Sequence, residues 1–423
     1  MIIPVRVKWL IVLLVCILTL TVFGCARFNP RPIDKVPFHE RAQTQYEGNI
    51  RITAAVPSAR ESKKLFDVNL YSKGIQPIWL KVENNDEEPV WIFPVGIDPQ
   101  YYSPIEASFL SHFRYAKRAN RSKDRYFYER GKIIRIDPKS VRSGYVFTTL
   151  DEGTKDFIVD LVGEDREVRT FTFFINVPGL RADHHTVEFE DLYSEDEIVS
   201  YDEKGLREAL EHLPCCTTNK KGTNYGDPLN LVVIGNTEDV FHAFIRSGWD
   251  ETETVYALSG WKMAMSFLFG GEYRYSPVSA LYVYGRSQDI ALQKVRESIH
   301  ERNHLRLWLA PMRYEGKPVW IGQISRDIGV RWTLKGGVIL THKIDPDVDE
   351  ARDYLYQNLW YSQGLVKFAY VEGAGAAPIT EPRQNLTGDP YFTDGHRSVL
   401  WVSSEPIEFE DVEFVGWETP PER

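Results

Sequence analysis

The sequence predicts an α+β multidomain protein: an N-terminal β-sandwich of immunoglobulin-like type over residues 48–187, then a mixed α/β domain over residues 206–423. Three observations carry that expectation. Through the first region, β-branched and aromatic runs recur roughly every 12–15 residues with charged turns between them, the spacing of an antiparallel sandwich. Beyond residue 206 the pattern changes to apolar strands leading through a turn into amphipathic helices. Between the two, residues 188–205 carry Glu188, Glu190, Asp191, Glu195, Asp196, Glu197, Asp202 and Glu203, a like-charged run that reads as an interdomain linker. Composition agrees. With 43% hydrophobic and 13% aromatic residues the chain of 423 residues has the material for large cores. A net charge of −10 lacks the basic footprint of a nucleic-acid binder, and 26% charged residues exclude a polytopic membrane protein.

The elements follow in order. Arg6 and Lys8 precede an uncharged apolar run from Trp9 to Phe23, short for a membrane span and the right length for a signal peptide over residues 1–24. Val22-Phe23-Gly24-Cys25 resembles the lipobox of bacterial lipoproteins, which makes Cys25 the expected lipid attachment site. The competing reading is an uncleaved N-terminal anchor. Ala26 after the cysteine resembles sorting to the outer membrane, so the expected address is extracytoplasmic, lipid-anchored and facing the periplasm. Residues 25–47, with Pro30, Pro32 and Pro37, read as a tether.

In the sandwich region, Ile78–Val82 and Val90–Phe93 flank the turn cluster Glu83-Asn84-Asn85-Asp86 and read as a hairpin. Further strands are expected at 144–147, 156–162 and 170–175. One helix interrupts them: Ser103-Pro104-Ile105-Glu106 is a capping box with proline at the first helical position, and Ile105, Phe109 and Phe113 follow on one face. From Arg114 to Arg135 basic residues outnumber acids, with Tyr126, Phe127 and Tyr128 interleaved. This stretch reads either as a surface for anionic headgroups or another polyanion, or as a solvated helix face with its aromatics turned to the core.

The second domain opens with a buried strand at Leu231–Ile234, a turn at Gly235-Asn236-Thr237, and a helix capped by Asn236 and stopped by Gly248. A second helix is expected near 259–269. Strands follow at 280–284, 304–309 and 319–324, the last two joined across Glu315-Gly316-Lys317. Cys215 and Cys216 are neighbours, either reduced or bridged without consequence, or engaged in redox or metal chemistry.

Six ordered blocks then carry a family resemblance: Pro214–Asn219 with Gly226–Asn230, Leu281–Asp289, Asn303–Trp308, Val319–Gly322, His342–Asp349 and Asn385–Phe392. Residues 206–402 resemble the LssY C-terminal domain family. That resemblance implies a domain often appended to integral-membrane proteins with lipid-phosphatase-like or DedA-like parts, its own activity uncharacterised. Here a sandwich and a lipid anchor stand in place of those membrane-spanning parts.

Two function classes remain. In the first, the chain is an envelope lipoprotein that binds a partner protein or an anionic amphiphile at the membrane surface, through candidates Arg286, Asp289, Lys294 and His304. In the second, it is a hydrolase on phosphate- or lipid-type substrates, with His342, Asp345 and Asp327 as catalytic candidates and His342 with Asp345 as ligands of a divalent metal. No cofactor is otherwise evident. Asp345-Pro346 also reads as a helix cap, with Asp347, Asp349 and Glu350 in the first turn. Convergence of Arg286, His304, Asp327, His342 and Asp345 on one pocket would favour the enzyme; pairing into separate ion pairs would favour the binding module.

Overall fold

A computed structural model describes residues 28–114, 116–131, 133–164, 166–180, 187–252, 278–295, 302–332 and 340–420, with the backbone alone for 330–332 and 340–342. The N-terminal stretch expected to be a signal peptide, with Cys16 and Cys25, and the helix expected near 259–269 lie outside the described residues. Among the described residues no helix is long and apolar enough to cross a membrane. The chain divides into two compact units, residues 1–150 with 158–175, and residues 151–157 with 176–423. The architecture is α+β, with a β-rich N-terminal region.

Lying wholly or mostly in the first unit, β1 (Gln43–Glu47), β2 (Ile50–Ala55), β3 (Ile75–Asn84), β4 (Val90–Ile92), β5 (Arg135–Ile136), β6 (Ser140–Thr149), β7 (Gly153–Gly163) and β8 (Val168–Val177) form two four-stranded sheets, ordered β1-β2-β3-β6 and β5-β4-β7-β8. β3 is buried on both faces from Ile75 to Leu80. Ala55, Trp79 and Tyr145 share one face, in register. They join Phe66 of α1 (Ala59–Phe66), Ala107 of α2 (Pro104–Phe109) and Phe127 of α3 (Lys117–Arg130) in one core. Ile52, Leu80, Val82 and Val146 on the opposite face are equally buried. Gln43 and Gln45 of β1 donate to the carbonyls of Phe174 and Thr172 in β8, tying the sheets at one edge.

Three expectations change here. β3 and β4 are not a hairpin: β3 pairs with β2 and β6, and β4 with β5 and β7. The Asn84 amide, fully buried, holds the corner by donating to the carbonyls of Glu88, Ile136 and Asp137. The tether is folded onto the unit instead of hanging free: Val36 and Phe38 are core residues, and Gln43–Glu47 is a strand. Helix α2 has both bonds of its capping box, yet its inward residues are Ala107 and Ser108, and Ile105, Phe109 and Phe113 face outward. The inward side is set by Ser108, whose hydroxyl donates to Asp124 of α3 at 2.7 Å.

In the second unit, β9 (Val199–Tyr201) and α4 (Glu203–Glu211) precede β10 (Cys216–Thr218), β11 (Tyr225–Pro228), β12 (Leu231–Ile234), α5 (Thr237–Arg246), β13 (Asp250–Glu251), β14 (Tyr282–Val283), β15 (Arg286–Ser287), β16 (Ile290–Val295), β17 (Arg302–Tyr314), β18 (Lys317–Trp332), β19 (Leu340–Ile344), α6 (Val348–Tyr361), β20 (Leu365–Glu372), β21 (Arg383–Gln384), β22 (Pro390–Tyr391), β23 (His396–Val402) and β24 (Glu413–Phe414). The main sheet runs β13-β16-β17-β18-β12-β23-β20-β24, with β19 on β18 and β9 on β17; a smaller one runs β11-β10-β14-β15. β12 is central, between antiparallel β18 and parallel β23, and its four side chains have no exposed surface. Burying each stabilises by about 1.5–3 kcal/mol. Asn236 and Asp239 form a capping box at the start of α5, and Gly248 ends it at φ +82°. The hairpin between β17 and β18 turns at Glu315 and Gly316, both at positive φ (49° and 78°), as a type I′ turn needs.

The acidic segment 188–205 is part of this unit and not a free linker. β9 pairs in parallel with Met312–Tyr314, Asp202 caps α4, and the Tyr193 hydroxyl donates to the Leu309 carbonyl, so the acids sit at a cap and on exposed positions while the tyrosine anchors the segment. Cys215 and Cys216 form a vicinal disulfide. The helix expected to begin at Asp345-Pro346 begins at Val348 with Asp347 as its cap. The Phe392 N–H bonds the Pro346 carbonyl, and Asp347 and Phe392 form an isolated parallel bridge, which keeps Pro346 outside the helix.

Candidate functional site

The site candidates fall into two groups fixed along β17. Arg286, on β15, grips Asp289 with Nε and Nη2 at 2.9 and 3.0 Å, and gives Nη1 to the Tyr193 hydroxyl at 2.8 Å and Nη2 to the Leu309 carbonyl at 2.7 Å. Asp289 in turn accepts the Leu309 N–H at 2.7 Å. Burial works against the guanidinium charge, but the Asp289 carboxylate outweighs it and holds Arg286 above its ordinary range. A cavity of about 350 Å³ lies against this pair, and its lining also includes Glu188 and Asp191. Two carboxylates beside an arginine already held by Asp289 make that cavity a poor place for an anion.

The second group occupies one face of β16, β17 and β18. The register pairs Gln293 with His304, His304 with Ser325, and Arg306 with Gln323. By the two-residue period of a strand, Arg302, His304 and Arg306 therefore point the same way as Gln293, Gln323, Ser325 and Asp327. His304 Nε2 lies 2.7 Å from Asp327 Oδ2, and Arg302 Nε lies 3.7 Å from the same oxygen. Arg302 donates to the Gln293 amide oxygen at 2.8 Å, and Arg306 to the Gln323 amide oxygen at 2.8 Å and the Ser279 carbonyl at 3.1 Å. All of these side chains are buried; Arg302, His304 and Arg306 retain 2%, 6% and 7% of their surface. Burial, reinforced by the two guanidiniums and opposed by Asp327, brings the His304 imidazole down to about 4, so it is neutral at physiological pH. Asp227, buried and bonded by the Asn385 amide at 3.2 Å, is raised by its burial and lowered in part by Arg306.

The same face is apolar one step along the strands, where Trp308 and Ile321 join Leu229, Leu281 and Val283 in a core. The polar half is thus built into a surface that elsewhere serves packing. Two guanidiniums flanking a neutral imidazole, joined to the Gln293 and Gln323 amides and to the Asp327 carboxylate, give this face a donor chemistry of the kind that suits an anionic headgroup.

Of the residues singled out in the sequence, His304 and Asp327 come together, and the Asp345 N–H bonds the Arg326 carbonyl next door. The Asp345 carboxylate accepts the Asp347 N–H at 3.1 Å, a turn role. His342 lies on β19 opposite Val330 in backbone register; its side chain is outside the described residues. Arg286 and Asp289 meet β17 at Leu309, five positions and roughly 16 Å along the strand from His304. Lys294 belongs to the opposite face of the sheet, donating to the Ser247 carbonyl and the Asn358 amide oxygen. The single pocket of Arg286, His304, Asp327, His342 and Asp345 that would have favoured the enzyme does not form among the described side chains, because strand geometry separates Arg286 from the dyad.

Sequence reasoning missed Arg302, Arg306, Gln293, Gln323 and Asp227. The signal was present in Arg302-x-His304-x-Arg306, which puts three basic side chains on one face of a strand.

A third cluster lies at the start of β23. Arg352 holds Asp394 bidentately at 2.8 and 2.9 Å, Asp349 accepts from Thr393 and the Asp394 N–H, and His396 lies 3.3 Å from Asp394. Glu372, His396 and Glu418 bring three potential ligand atoms within 4.8 Å of one another. The Asp394 hydrogen bond raises His396, favouring the imidazolium, and Glu418 is already bonded by Arg207 and the Glu372 N–H. That chemistry fits an ion-pair lock better than a metal centre, since a metal needs the neutral ring.

Residues 208–396 match the family model described as the LssY C-terminus, and every member of the polar face lies within that span. Comparison with curated proteins and with solved structures gives no match.

Proposed function

We propose that this chain, which carries an LssY C-terminal domain, is a cell-envelope lipoprotein whose C-terminal domain binds the headgroup of an anionic amphiphile. The single observation behind the binding reading is the polar face of β17: Arg302 and Arg306, buried two positions either side of a neutral His304. Held away from water, guanidiniums attract an anionic headgroup strongly and meet it with a planar fork of donors. The address rests on the leader and Gly24-Cys25: acylated at Cys25, the chain faces the periplasm from the outer membrane. The hydrolase reading loses ground because Arg286 is committed to Asp289, and Asp345 to the turn before α6.

The test is equilibrium binding of inorganic phosphate and of a short-chain phosphatidic acid to the mature chain, alongside Arg306→Gln and Arg302→Gln. Loss of binding in variants that keep the parent near-UV spectrum supports the reading; parent-like binding by both variants refutes it. His304-dependent consumption of the phosphate ester during the measurement would put a hydrolase in its place. For the address, Cys25→Ala should move the protein from the membrane fraction to the soluble periplasmic one after a high-salt wash, and retention through that wash would make the leader a spanning anchor.

A further inference from the structure

The first unit carries a surface that the C-terminal domain does not account for. Phe28 meets the Tyr126 ring of α3 edge-on, with 5.4 Å between centroids. The Asn29 N–H bonds Asp67 at 2.7 Å, and the Arg31 N–H bonds the Lys64 carbonyl at 2.8 Å. The chain is therefore fixed to this unit from Phe28 onward. Cys25 is three residues earlier, so covalent geometry keeps it within roughly 11 Å of the end of that contact.

Helix α3 is two-sided. Lys123 and Phe127 are buried, while Lys117, Arg118, Arg121 and Arg125 are exposed at spacings of three, four and seven or eight, one stripe of the helix. Helix α2 and the turn after it expose the apolar groups Ile105, Phe109, Leu110 and Phe113; Phe109 keeps 66% of its surface. The two helices are locked together. Asn120 bonds both the N–H and the carbonyl of Phe113 at 2.9 Å, Ser108 and His112 both bond Asp124, and the Lys123 ammonium lies 4.2 Å from the Phe113 ring centre. Aromatic and aliphatic groups that insert, next to cations that meet phosphates, form the pattern of an interfacial membrane surface.

We propose that the α2–α3 pair is a docking face for an anionic lipid bilayer, seating the first unit directly on the membrane beside the exit point of the N-terminus. The occupant follows from charge complementarity and from the short reach to Cys25. Proximity to the bilayer in the cell rests on the acylation proposed above; affinity for anionic lipid does not, and the two are tested apart. The docking face also explains why α2 turns phenylalanines outward when its small residues face the core.

The experiment is flotation of the unacylated chain, beginning at Ala26, with vesicles of phosphatidylcholine alone or mixed with phosphatidylglycerol. Binding is expected only to the mixed vesicles, and it should weaken as salt rises. Each cation removed near an anionic surface should lower binding about fivefold, so Arg118→Gln with Arg121→Gln and Arg125→Gln should lower it on the order of a hundredfold. Phe109→Ser, at an exposed position, should weaken binding with no change in melting temperature. Equal binding to both vesicle types, parent-like binding by the triple variant, or self-association of the chain in place of vesicle binding would each overturn the proposal. Failure of Cys25→Ala to release the protein in a high-salt wash, which strips a charge-held contact, would overturn the acylation and leave the flotation result standing.

Discussion

His304 gives the sharpest quantitative handle on the polar face. Its folded-state value is about 4, against an ordinary 6.5, chiefly because burial disfavours the imidazolium. The sign follows from linkage. As pH falls from 6.5, the unfolded chain takes up a proton at this residue and the folded one does not, so stability is complete above 6.5 and is lost as pH drops toward 4. A gap of this size corresponds to about 3 kcal/mol when fully developed, and to roughly 2.5 kcal/mol by about pH 4.5. His304→Gln keeps a donor for Asp327 and removes the titration. Urea unfolding of parent and variant at about pH 7.5 and 4.5 separates this effect from any general cost of the substitution, which is common to both conditions. The parent should lose about 2.5 kcal/mol more than the variant on acidification. Parallel losses would show that His304 titrates normally, and that the face is wet and not buried.

Arg397→Met should destabilise by at least about 3 kcal/mol, because the buried guanidinium donates to the carbonyls of Leu229, Leu210, Leu213, Pro214 and Gly373 and the variant leaves them without those donors; a thermal melt shows the loss. Asn84→Ala should cost about 1–3 kcal/mol by denaturant titration, and an unchanged midpoint would mean that the corner between β3 and β4 is held by packing alone. Glu315→Asn should stabilise by up to about 1 kcal/mol, since Glu315 sits at φ 49° and asparagine followed by Gly316 is the favoured type I′ pair; a lower melting temperature would refute the turn assignment.

The parts of the fold legible in the sequence are those whose chemistry is local. Asn236 and Asp239, three apart, specify the start of α5 by bonds within one turn, and Gly248 ends it in a conformation that disfavours side chains. Glu315-Gly316 specifies the hairpin for the same reason. The corner at Asn84 was not legible, because its amide bonds carbonyls 52 and 53 residues away and the neighbouring turn cluster imitates a hairpin loop. Nor was the orientation of α2 legible: a four-residue apolar spacing marks a face without saying whether protein or something else covers it. The acidic run misled because charge repulsion argues for an extended linker, whereas β9 needs only its backbone to join β17.

The same distinction explains the site. Arg286 and Asp289 are three residues apart and bonded to each other, so the sequence placed them together, and their mutual pairing occupies two of the guanidinium nitrogens. Arg302, His304 and Arg306 alternate with Asn303, Leu305 and Leu307, a pattern that ordinarily means one wet face and one dry one. Both faces are dry here. The basic side has little exposed surface, and two residues further along it Trp308 occupies the equivalent position with none. Alternation reports how polar two faces are relative to each other, while burial depends on what the rest of the chain lays over them. A strand that keeps guanidiniums where its own continuation keeps tryptophan gives up packing stability at that place. The polar half of β17 shares that cost with Arg352 and Arg397, whose guanidiniums are equally buried, and differs from them in flanking a neutral imidazole.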